Sequence, residues 1–340
     1  MLDLNGKSIL ITGGTGSFGV KFIKLLMERY SRIENLVIFS RDEYKQYELS
    51  KGLNASNYPF LKFVIGDIRD KDRLIEVTEG IDIIIHAAAL KQVPASEFNP
   101  MEFIKTNIQG TQNVIDAAIQ NKVQKVIALS TDKAVAPVSL YGASKMCSDK
   151  LLTSVNSSRP HVPTLFAIVR YGNVMGSRGS VIPQFLKERD KGELSITHSE
   201  MTRFNASISD EFNLVLHALE FAKGGEVFIP KLSSYHILDL AKAISPSSKI
   251  NIIGVRPGEK LHEEMIASSE VSSTYEFDKY YVSLPLNGVK WDITKWMTDL
   301  KGTKVKENFS YSSNIDQNRL SVDELRKLMI KEVDSSFQPI

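Results

Sequence analysis

Three glycines near the amino terminus, Gly13, Gly16 and Gly19, limit the possible folds of this chain more than any other segment. They follow a short apolar run, residues 8–11, and precede a stretch in which apolar residues recur at helical intervals. A strand, a glycine-rich turn and a helix in this order are typical of a dinucleotide-binding loop. The first glycine permits the tight turn, the second lets the backbone approach a pyrophosphate, and the third lets the helix pack closely. We therefore expect an α/β fold whose first loop holds phosphate groups; a glycine-rich turn that binds nothing is the alternative interpretation.

The composition is that of an ordinary globular protein. The chain has 340 residues, 42% of them hydrophobic and 24% charged, with a formal net charge of +2. So balanced a charge gives no indication of a nucleic-acid-binding surface. The single cysteine, Cys147, cannot form an intrachain disulfide, and no apolar run approaches the roughly 20 residues that a membrane-spanning helix needs. These observations predict a cytoplasmic protein that binds neither nucleic acid nor membrane, and no residue cluster indicates a metal site.

Short apolar runs recur along the first half of the chain at the spacing of βαβ units. The run at residues 81–86 is almost continuously apolar, as expected of a parallel strand that is covered on both faces. The strands predicted after the first are residues 35–39, 61–65, 81–86, 125–129 and 165–169. We predict an α/β fold, a Rossmann-type doubly wound parallel sheet with a smaller C-terminal α/β substrate domain. The predicted boundaries are 1–172 for the NADP-binding domain and 173–340 mainly for the substrate domain, with some chain crossing back.

Three helices outside the first βαβ unit bear on the later argument. The pattern predicts one helix over about residues 99–120 and another that leads from the segment 256–260 through Met265. The last helix is predicted to begin at Ser321, because Glu324 three residues later completes a capping box.

The end of the second predicted strand carries the residues that distinguish NADP from NAD. An acidic residue there usually bonds the ribose hydroxyl of NAD. Here Ser40 and Arg41 occupy the strand tip, and Lys45 follows one helical turn later, so a 2′-phosphate and hence NADP is favoured. Alternatively, Asp42 caps a solvated basic helix start, and Asp67 either faces the adenine or caps the next helix. The residues predicted to contact the cofactor are Gly13, Thr15, Gly16, Ser17, Phe18, Gly19, Ser40, Arg41, Asp42, Lys45, Asp67, Ile68, Ala87, Ala88, Lys91, Asn107, Tyr141, Lys145 and Val174.

Reactive side chains follow the fifth predicted strand. Thr131, Asp132 and Lys133 stand at its carboxyl end, the edge where open α/β sheets bind ligands. In the next predicted helix Tyr141 and Lys145 are four residues apart and share one face. A nearby ammonium lowers the pKa of a phenol and helps it to act as a base. We therefore predict that Lys145 lowers the pKa of Tyr141.

Several ordered motifs resemble one family. TGGTGSFG, Tyr141-x-x-x-Lys145 and the segment 170–173 resemble the extended short-chain dehydrogenase/reductases that act on nucleotide sugars. With HAAALKQVP, STDKA, RYGNVMGSRGSV, MTRF and RPGEK, the chain is similar over about residues 5–285 to the inverting UDP-N-acetylglucosamine 4,6-dehydratases. Retaining dehydratases have Thr-Asp-Glu where this chain has Thr131, Asp132 and Lys133, and epimerases lack the acid and base there. The resemblance implies the soluble type that opens pseudaminic acid or related surface-sugar biosynthesis.

The resemblance also implies a reaction with a tightly bound NADP that is recycled within each cycle. Tyr141 takes the proton of the sugar 4-hydroxyl, Lys133 removes the C5 proton, and Asp132 protonates the departing 6-hydroxyl. The implied product is UDP-2-acetamido-2,6-dideoxy-β-L-arabino-hex-4-ulose. Lys133 must be neutral part of the time, through burial or a nearby cation, and Asp132 needs a raised pKa. The alternative is that Lys133 is a surface lysine that bonds Asp132 without chemistry.

Substrate-contacting residues are predicted beyond the sixth strand. Arg178 and Arg256 are candidates for the UDP pyrophosphate, because planar guanidinium groups suit phosphate oxygens, although either could instead hold its own loop. The full predicted substrate set is Lys91, Asn173, Arg178, Gly179, Ser180, Val181, Arg256 and Glu259. The expected partner is UDP-N-acetylglucosamine, and relatives imply a homo-oligomer, a dimer or a hexamer.

Other functions stay open from the sequence. A retaining 4,6-dehydratase differs only in the stereochemistry at C5. A UDP-sugar 4-epimerase would use the same cofactor and the same tyrosine without eliminating water. A non-catalytic NADP-binding regulator would be expected to have lost Tyr141 or Lys145, and both are present.

Overall fold

The computed structural model describes residues 2–177, 179–285, 291–315 and 318–340. Its strands are β1 (Ser8–Thr12), β2 (Asn35–Ser40), β3 (Leu61–Ile65), β4 (Ile83–His86), β5 (Lys125–Thr131), β6 (Leu165–Tyr171), β7 (Asn173–Val174), β8 (Glu193–Ile196), β9 (Thr202–Ala206), β10 (Val227–Pro230), β11 (Ser233–His236), β12 (Lys249–Ile252), β13 (Glu264–Ile266), β14 (Thr274–Glu276), β15 (Tyr280–Ser283), β16 (Thr303–Lys304) and β17 (Tyr311–Ser312). Its α-helices are α1 (Ser17–Arg29), α2 (Glu43–Gly52), α3 (Lys71–Val77), α4 (Val93–Phe98), α5 (Pro100–Phe103), α6 (Gly110–Gln120), α7 (Leu140–Ser158), α8 (Val181–Glu188), α9 (Ile208–Phe221), α10 (Ile237–Ile244), α11 (Ile293–Asp299) and α12 (Val322–Glu332).

The predicted doubly wound sheet is confirmed. In the described residues the large sheet has the order β16-β14-β15-β10-β6-β5-β4-β1-β2-β3. The seven strands from β3 to β10 are parallel, and the first six of them have the order 3-2-1-4-5-6 of a Rossmann fold, with β10 next to β6. The sheet order reverses beside β1, so a crevice opens at the carboxyl ends of β1 and β4, where ligands of such sheets bind.

Apolar side chains cover both faces of this sheet. Along β1, Ile9 and Ile11 enter the core that also contains Phe22 of α1, whereas Leu10 enters the core on the other face with Val114 of α6. Successive strand side chains point to opposite faces, so a strand buried on both sides must be apolar throughout. The continuous apolar runs seen in the sequence are therefore explained by helices on both faces.

The second half of the chain returns to the large sheet. Strand β10 joins it beside β6 in parallel, and β15, β14 and β16 follow in antiparallel pairings. The remaining strands form small sheets in the orders β11-β9-β7, β12-β8 and β13-β17, and a third apolar core lies among α8, α10 and α12. The crossing of chain back to the sheet agrees with the expectation, while the domain boundary at 172 stays a prediction.

Two predicted helices differ from the structure. The helix expected over about 99–120 is present over residues 100–120 as α5, a π-helical turn (Ile104–Gln109) and α6, while Asn99, with φ −128° and ψ 55° ahead of Pro100, separates it from the unpredicted helix α4. The segment through Met265 is strand β13, which pairs with the distant strand β17. Its pairing partner lies far along the chain, so local periodicity alone could not indicate a strand.

The last helix begins as predicted. Ser321 caps α12, accepting from the Glu324 amide, and the Glu324 carboxylate accepts from the Ser321 amide at 2.8 Å, which completes the capping box. Among the described residues, no helix has both the length and the apolar character needed to cross a membrane.

Replacing Gly13 by alanine is expected to destabilise the protein far more than the same change at Gly6. Both residues have left-handed φ, +70° and +69°, which costs alanine about 1–2 kcal/mol. A Cβ at Gly13 would also lie 2.8 Å from the Ala88 Cα, whereas nothing lies within 4 Å at Gly6. We expect an additional loss of about 1–3 kcal/mol for Gly13→Ala from backbone displacement, measured by urea unfolding. Equal losses in the two variants would contradict the close approach of β1 and β4.

Candidate active site

One large cavity of about 660 Å³ lies at the carboxyl ends of β1, β2, β4, β5 and β6. The segments that follow β6 and the loop at 256–260 close its other side. The residues predicted from the sequence that line it are Gly13, Thr15, Gly16, Ser17, Phe18, Gly19, Ser40, Arg41, Asp42, Lys45, Asp67, Ile68, Ala87, Ala88, Lys91, Thr131, Lys133, Tyr141, Lys145, Asn173, Val174, Gly179, Ser180, Val181, Arg256 and Glu259. The structure thus brings the two predicted halves of the site together in one space.

The glycine loop has the shape that a dinucleotide requires. The Gly13 amide donates to the Phe39 carbonyl at 2.8 Å, which joins the loop to β2. Gly16 precedes α1 and has no side chain to cap it, so the positive amino end of α1 lies at the cavity, where it favours an anion. An added Cβ at Gly19 would lie 2.5 Å from the Gly14 carbonyl oxygen, so only glycine permits this close packing. The loop therefore fits a pyrophosphate.

The tip of β2 presents a mixture of charges to the cavity. Asp42 caps α2, accepting from the Lys45 amide at 2.9 Å, and also pairs with the Lys45 ammonium at 2.7 Å. Hydrogen bonds from Lys45 hold the pKa of Asp42 below its usual value. The capping alternative is therefore what the structure shows for Asp42. Arg41 is half-exposed and lies 3.6 Å from Asp67, which also pairs with Arg69 at 2.7 Å.

Asn107 is the predicted cofactor residue that the structure places outside the cavity wall. Its side chain donates to the Leu90 carbonyl and accepts from the Leu90 amide, and it donates to the Ser144 hydroxyl at 2.9 Å. These bonds tie the loop after β4 to α7. Asn107 thus holds the loop on which the cavity is built, and its contact with a cofactor stays a prediction.

Tyr141 and Lys145 lie on the first turns of α7, which Ser139 caps. The Lys145 ammonium is buried and donates to the Leu129 carbonyl at 2.9 Å. Burial raises the pKa of Tyr141 to about 12, opposed mainly by the charge of Lys133 and by a hydrogen bond with Thr131. Lys133 is thus the cation with the largest effect on the pKa of the phenol, burial outweighs it, and the role of Lys145 stays a prediction.

The Lys133 ammonium lies among three oxygen acceptors. Its Nζ is 3.1 Å from Asp132 Oδ1, 3.3 Å from Asn173 Oδ1 and 3.2 Å from Glu263 Oε1. Lys133 is 27% exposed at its side chain, whereas Asp132 and Glu263 are 0% and 1% exposed. The Lys133 amine therefore lies at the cavity, and two buried carboxylates hold it there. Asp132 does not line the cavity itself but lies directly behind Lys133.

The charges of this group bear on two expectations. Burial raises the pKa of Asp132 despite the neighbouring Lys133, as a general acid requires. Burial alone would lower the pKa of Lys133, but Asp132 and Glu263 outweigh it and raise that pKa. Two carboxylates therefore stabilise the ammonium of Lys133 in the protein without substrate, which opposes the neutral form that a base requires.

Arg203 and Glu263, for which the sequence predicted no role, complete the site. Arg203 on β9 is buried; its Nη2 lies 3.2 Å from Glu259 Oε1 and its Nε lies 3.6 Å from Glu263 Oε1. Glu259 was predicted to contact substrate, and it lines the cavity with its carboxylate held by Arg203. Arg203 belongs to the MTRF motif, and Glu263 stands three residues after RPGEK. The available signal in the sequence was thus a charged residue in or beside each of two motifs.

The remaining predicted substrate residues lie around the mouth of the cavity. Arg256 is exposed there, and Ser180 begins α8 with its hydroxyl donating to the Ser177 carbonyl at 2.7 Å. Gly179 beside Gln92 has a left-handed φ of +77°, which favours glycine at this position. Arg178 lies outside the described residues.

Comparison with known proteins agrees with this geometry. A family model described as "Polysaccharide biosynthesis protein" matches residues 9–285. A relative from Campylobacter jejuni named UDP-N-acetylglucosamine 4,6-dehydratase (inverting) is 50% identical over 96% of this chain and 97% of its own. A relative from Rickettsia canadensis named UDP-glucose 4-epimerase is 42% identical over 95% of each chain.

Solved structures support the fold. Pen from Bacillus thuringiensis has a TM-score of 0.87 and 35% identity, covering 97% of this chain and 99% of that one. The dTDP-glucose 4,6-dehydratase DesIV from Streptomyces venezuelae, solved with NAD and TYD bound, has a TM-score of 0.67 and 25% identity, covering 75% and 86%. Relatives of this architecture thus hold a nicotinamide dinucleotide.

The Rossmann strand order, the glycine loop and the Tyr141–Lys145 pair define a protein of the short-chain dehydrogenase/reductase class. The chain belongs to the polysaccharide biosynthesis protein family, whose model covers residues 9–285. The relatives at 50% identity are 4,6-dehydratases, which are hydro-lyases acting on nucleotide sugars.

Proposed function

We propose that this protein is an inverting 4,6-dehydratase of UDP-N-acetylglucosamine. The observation that carries the proposal is that Lys133 lines the same cavity as Tyr141, with the buried carboxyl of Asp132 directly behind it, 3.1 Å from the Lys133 amine. An acid and a base beside a dehydrogenase tyrosine can eliminate water, which oxidation alone does not require. The Campylobacter relative with this name supports the choice of substrate.

We assign one proton transfer to each of three residues. Tyr141 takes the proton of the sugar 4-hydroxyl, aided by Thr131 and Lys145, so that a 4-keto group forms and acidifies C5. Lys133 takes the C5 proton as the C5–C6 double bond forms, and Asp132 protonates the departing 6-hydroxyl, which leaves as water. When bound, the nicotinamide supplies the hydride acceptor and later the hydride donor, so it is not consumed.

The experiment that tests the function is proton NMR of the purified protein with UDP-N-acetylglucosamine in D2O. A new 6-deoxy methyl signal of a 4-keto sugar with L-arabino couplings is expected. A methyl signal with D-xylo couplings from the start would mean retention at C5. UDP-N-acetylgalactosamine as the only product would favour an epimerase, which is the name of the Rickettsia relative. No product, even with added cofactor, would contradict the proposal.

We propose that the cofactor is NADP. The loop after β1 fits a pyrophosphate, and Arg41 at the tip of β2 offers a half-exposed guanidinium to the cavity. Asp42, the carboxylate in the region where NAD enzymes bond the ribose, is instead used by α2 and Lys45. A phosphate in that place would gain two cations, Arg41 and Lys45, and would meet no free carboxylate of Asp42.

Replacing Arg41 by alanine is expected to weaken NADP+ binding about tenfold, which is about 1.4 kcal/mol, while NAD+ binding stays within about twofold. Removing the guanidinium takes away a charge-assisted bond to the 2′-phosphate and nothing that NAD uses. Calorimetry with both dinucleotides on the cofactor-free protein measures this. Arg73→Ala is the matched control, because Arg73 pairs with Glu76 on α3, outside the cavity lining. Equal weakening of both dinucleotides by Arg41→Ala would contradict the role.

We assign the substrate side of the cavity to the second half of the chain. Asn173, Ser180, Val181 and Arg256 lie there, and we propose that they contact the UDP-sugar. The division near residue 172, a cytoplasmic location and a homo-oligomeric state remain part of this proposal.

A further inference from the structure

The three acceptors around Lys133 match the three donors of an ammonium group. An ammonium donates three hydrogen bonds, whereas a neutral amine has two N–H groups and one lone pair. Asp132, Asn173 and Glu263 supply one oxygen each, at 3.1, 3.3 and 3.2 Å. A neutral Lys133 therefore cannot satisfy all three. One contact must open when the lysine acts as a base.

Glu263 is held rigidly in this arrangement. Its amide donates to the Ser313 hydroxyl at 2.9 Å, and its carbonyl accepts from the Ser313 amide at 2.8 Å. Its side chain is 1% exposed and meets two cations, Lys133 and Arg203. Within the described residues, its second oxygen, Oε2, has no hydrogen-bond partner. Burying a charged carboxylate costs free energy of folding, and a residue that carries this cost is a candidate for a functional role.

We propose that Glu263 is a positioning residue for the elimination, one that holds the Lys133 amine at the cavity and sets the charge it carries. The buried carboxylates of Asp132 and Glu263 hold the amine, Asp132 from behind the cavity lining and Glu263, like Asn173, from within it. Once Lys133 loses its proton, its contact with Asn173 joins two neutral groups, whereas its contacts with Asp132 and Glu263 still involve carboxylates. The contact with Asn173 is then the weakest of the three, so it is the one that opens. The lone pair of the neutral amine then faces the cavity.

The charges that surround Lys133 come from several elements. Asp132 after β5, Arg203 on β9 and Glu263 just before β13 are the charged groups, and the neutral phenols of Tyr141 on α7 and Tyr235 on β11 are the other titratable groups. Asp132 and Glu263 raise the pKa of Lys133, against burial and the charge of Arg203. The cations Lys133, Arg203 and Lys260 in turn hold the pKa of Glu263 low despite its burial, so Glu263 is a charged partner. Neutralising Glu263 must therefore lower the pKa of Lys133.

The test is the titration of Lys133 in Glu263→Gln, followed without turnover. Lys133 is 27% exposed, so a small acylating reagent reaches it. Trace labelling with acetic anhydride over a pH series, read by peptide mass spectrometry, gives the pH at which Lys133 is half reactive. We expect this pH to fall by about one unit or more in Glu263→Gln. Glu264→Gln, the next residue on β13, is the matched control and is expected to leave it unchanged.

An unchanged midpoint in Glu263→Gln would overturn the inference, as would an equal fall in Glu264→Gln. If Glu263→Gln does not fold, Glu263→Asp keeps the charge but withdraws it from the amine, and a smaller fall in the same direction is expected. No fall in that variant would also overturn the inference.

The coupling of Glu263 to Lys133 does not depend on the proposed function; only its role in the elimination does. A second readout separates the coupling from the proposed function. In the sugar reaction, the limb of the pH–rate profile assigned to Lys133 is expected to move to lower pH in Glu263→Gln. A labelling shift in a protein whose wild type yields no 4-keto sugar would refute the proposed function and leave the Glu263–Lys133 coupling standing. A normal wild-type reaction with no shift in either readout would refute the coupling alone.

Discussion

Lys133→Met is expected to reduce dehydration of the nucleotide sugar by about 10³-fold or more. The variant loses the amine that takes the C5 proton, and general base catalysis contributes about 10²–10⁴-fold. Oxidation at C4 uses Tyr141 as its base, so absorbance of reduced nicotinamide should still appear on mixing with substrate, but more slowly because the charge of Lys133 that lowers the pKa of Tyr141 is lost. The measurement is single-turnover formation of the 6-deoxy product, followed by NMR or mass spectrometry.

The control for Lys133→Met concerns stability. The change leaves the carboxylates of Asp132 and Glu263 buried without the cation that pairs with both. Breaking a buried pair in this way costs about 3–5 kcal/mol, so the single variant is expected to unfold at lower temperature. Lys133→Met combined with Glu263→Gln removes one of those charges and is expected to recover part of the stability but none of the activity. Near-normal dehydration by either protein would refute the role of Lys133.

Tyr141→Phe is expected to abolish the reaction at its first step, with a loss of about 10²–10⁴-fold. The phenol oxygen is removed while the ring keeps its packing against Phe103, with ring centroids 6.5 Å apart. Unlike Lys133→Met, this variant should form no reduced nicotinamide on mixing with substrate. Absorbance spectroscopy of the two variants side by side therefore separates oxidation from elimination.

Tyr30→Phe is the comparison for Tyr141→Phe. Tyr30 is a buried tyrosine that donates to the Leu2 carbonyl at 3.4 Å and lies outside the cavity lining. It is expected to keep wild-type rates. Rapid accumulation of reduced nicotinamide in Tyr141→Phe would contradict the assignment of Tyr141.

Much of the cofactor half could be predicted from local signals. The glycine spacing, the apolar strands and the Tyr141–Lys145 interval follow from rules that operate within one turn or one strand, and the sheet order confirms them. The capping box at Ser321 and Glu324 is likewise local and is present. The helix expected through Met265 failed, because a strand there depends on pairing with β17 from a distant part of the chain.

The electrostatic expectations show the same limit. The family resemblance implied that Asp132 is an acid and Lys133 a base, and Asp132 has the raised pKa that an acid needs. The sequence could not indicate that two carboxylates would raise the pKa of Lys133, or that Lys133 would be the cation with the largest effect on the pKa of Tyr141. Burial and through-space distances decide those pKa values, and neither is a property of neighbouring residues in the chain.

By itself, the sequence determined a Rossmann-type sheet, a phosphate-binding loop after its first strand, and a family of nucleotide-sugar enzymes, because each rests on short-range patterns. Only the tertiary structure brought Glu263 and Arg203 to Lys133, gave Asn107 a structural role, and committed Asp42 to the cap of α2 with Lys45 beside it. These outcomes depend on where separate segments meet when the apolar faces of the sheet are buried. The charge on Lys133 is set at such a meeting point, where two buried carboxylates from different parts of the chain face one amine.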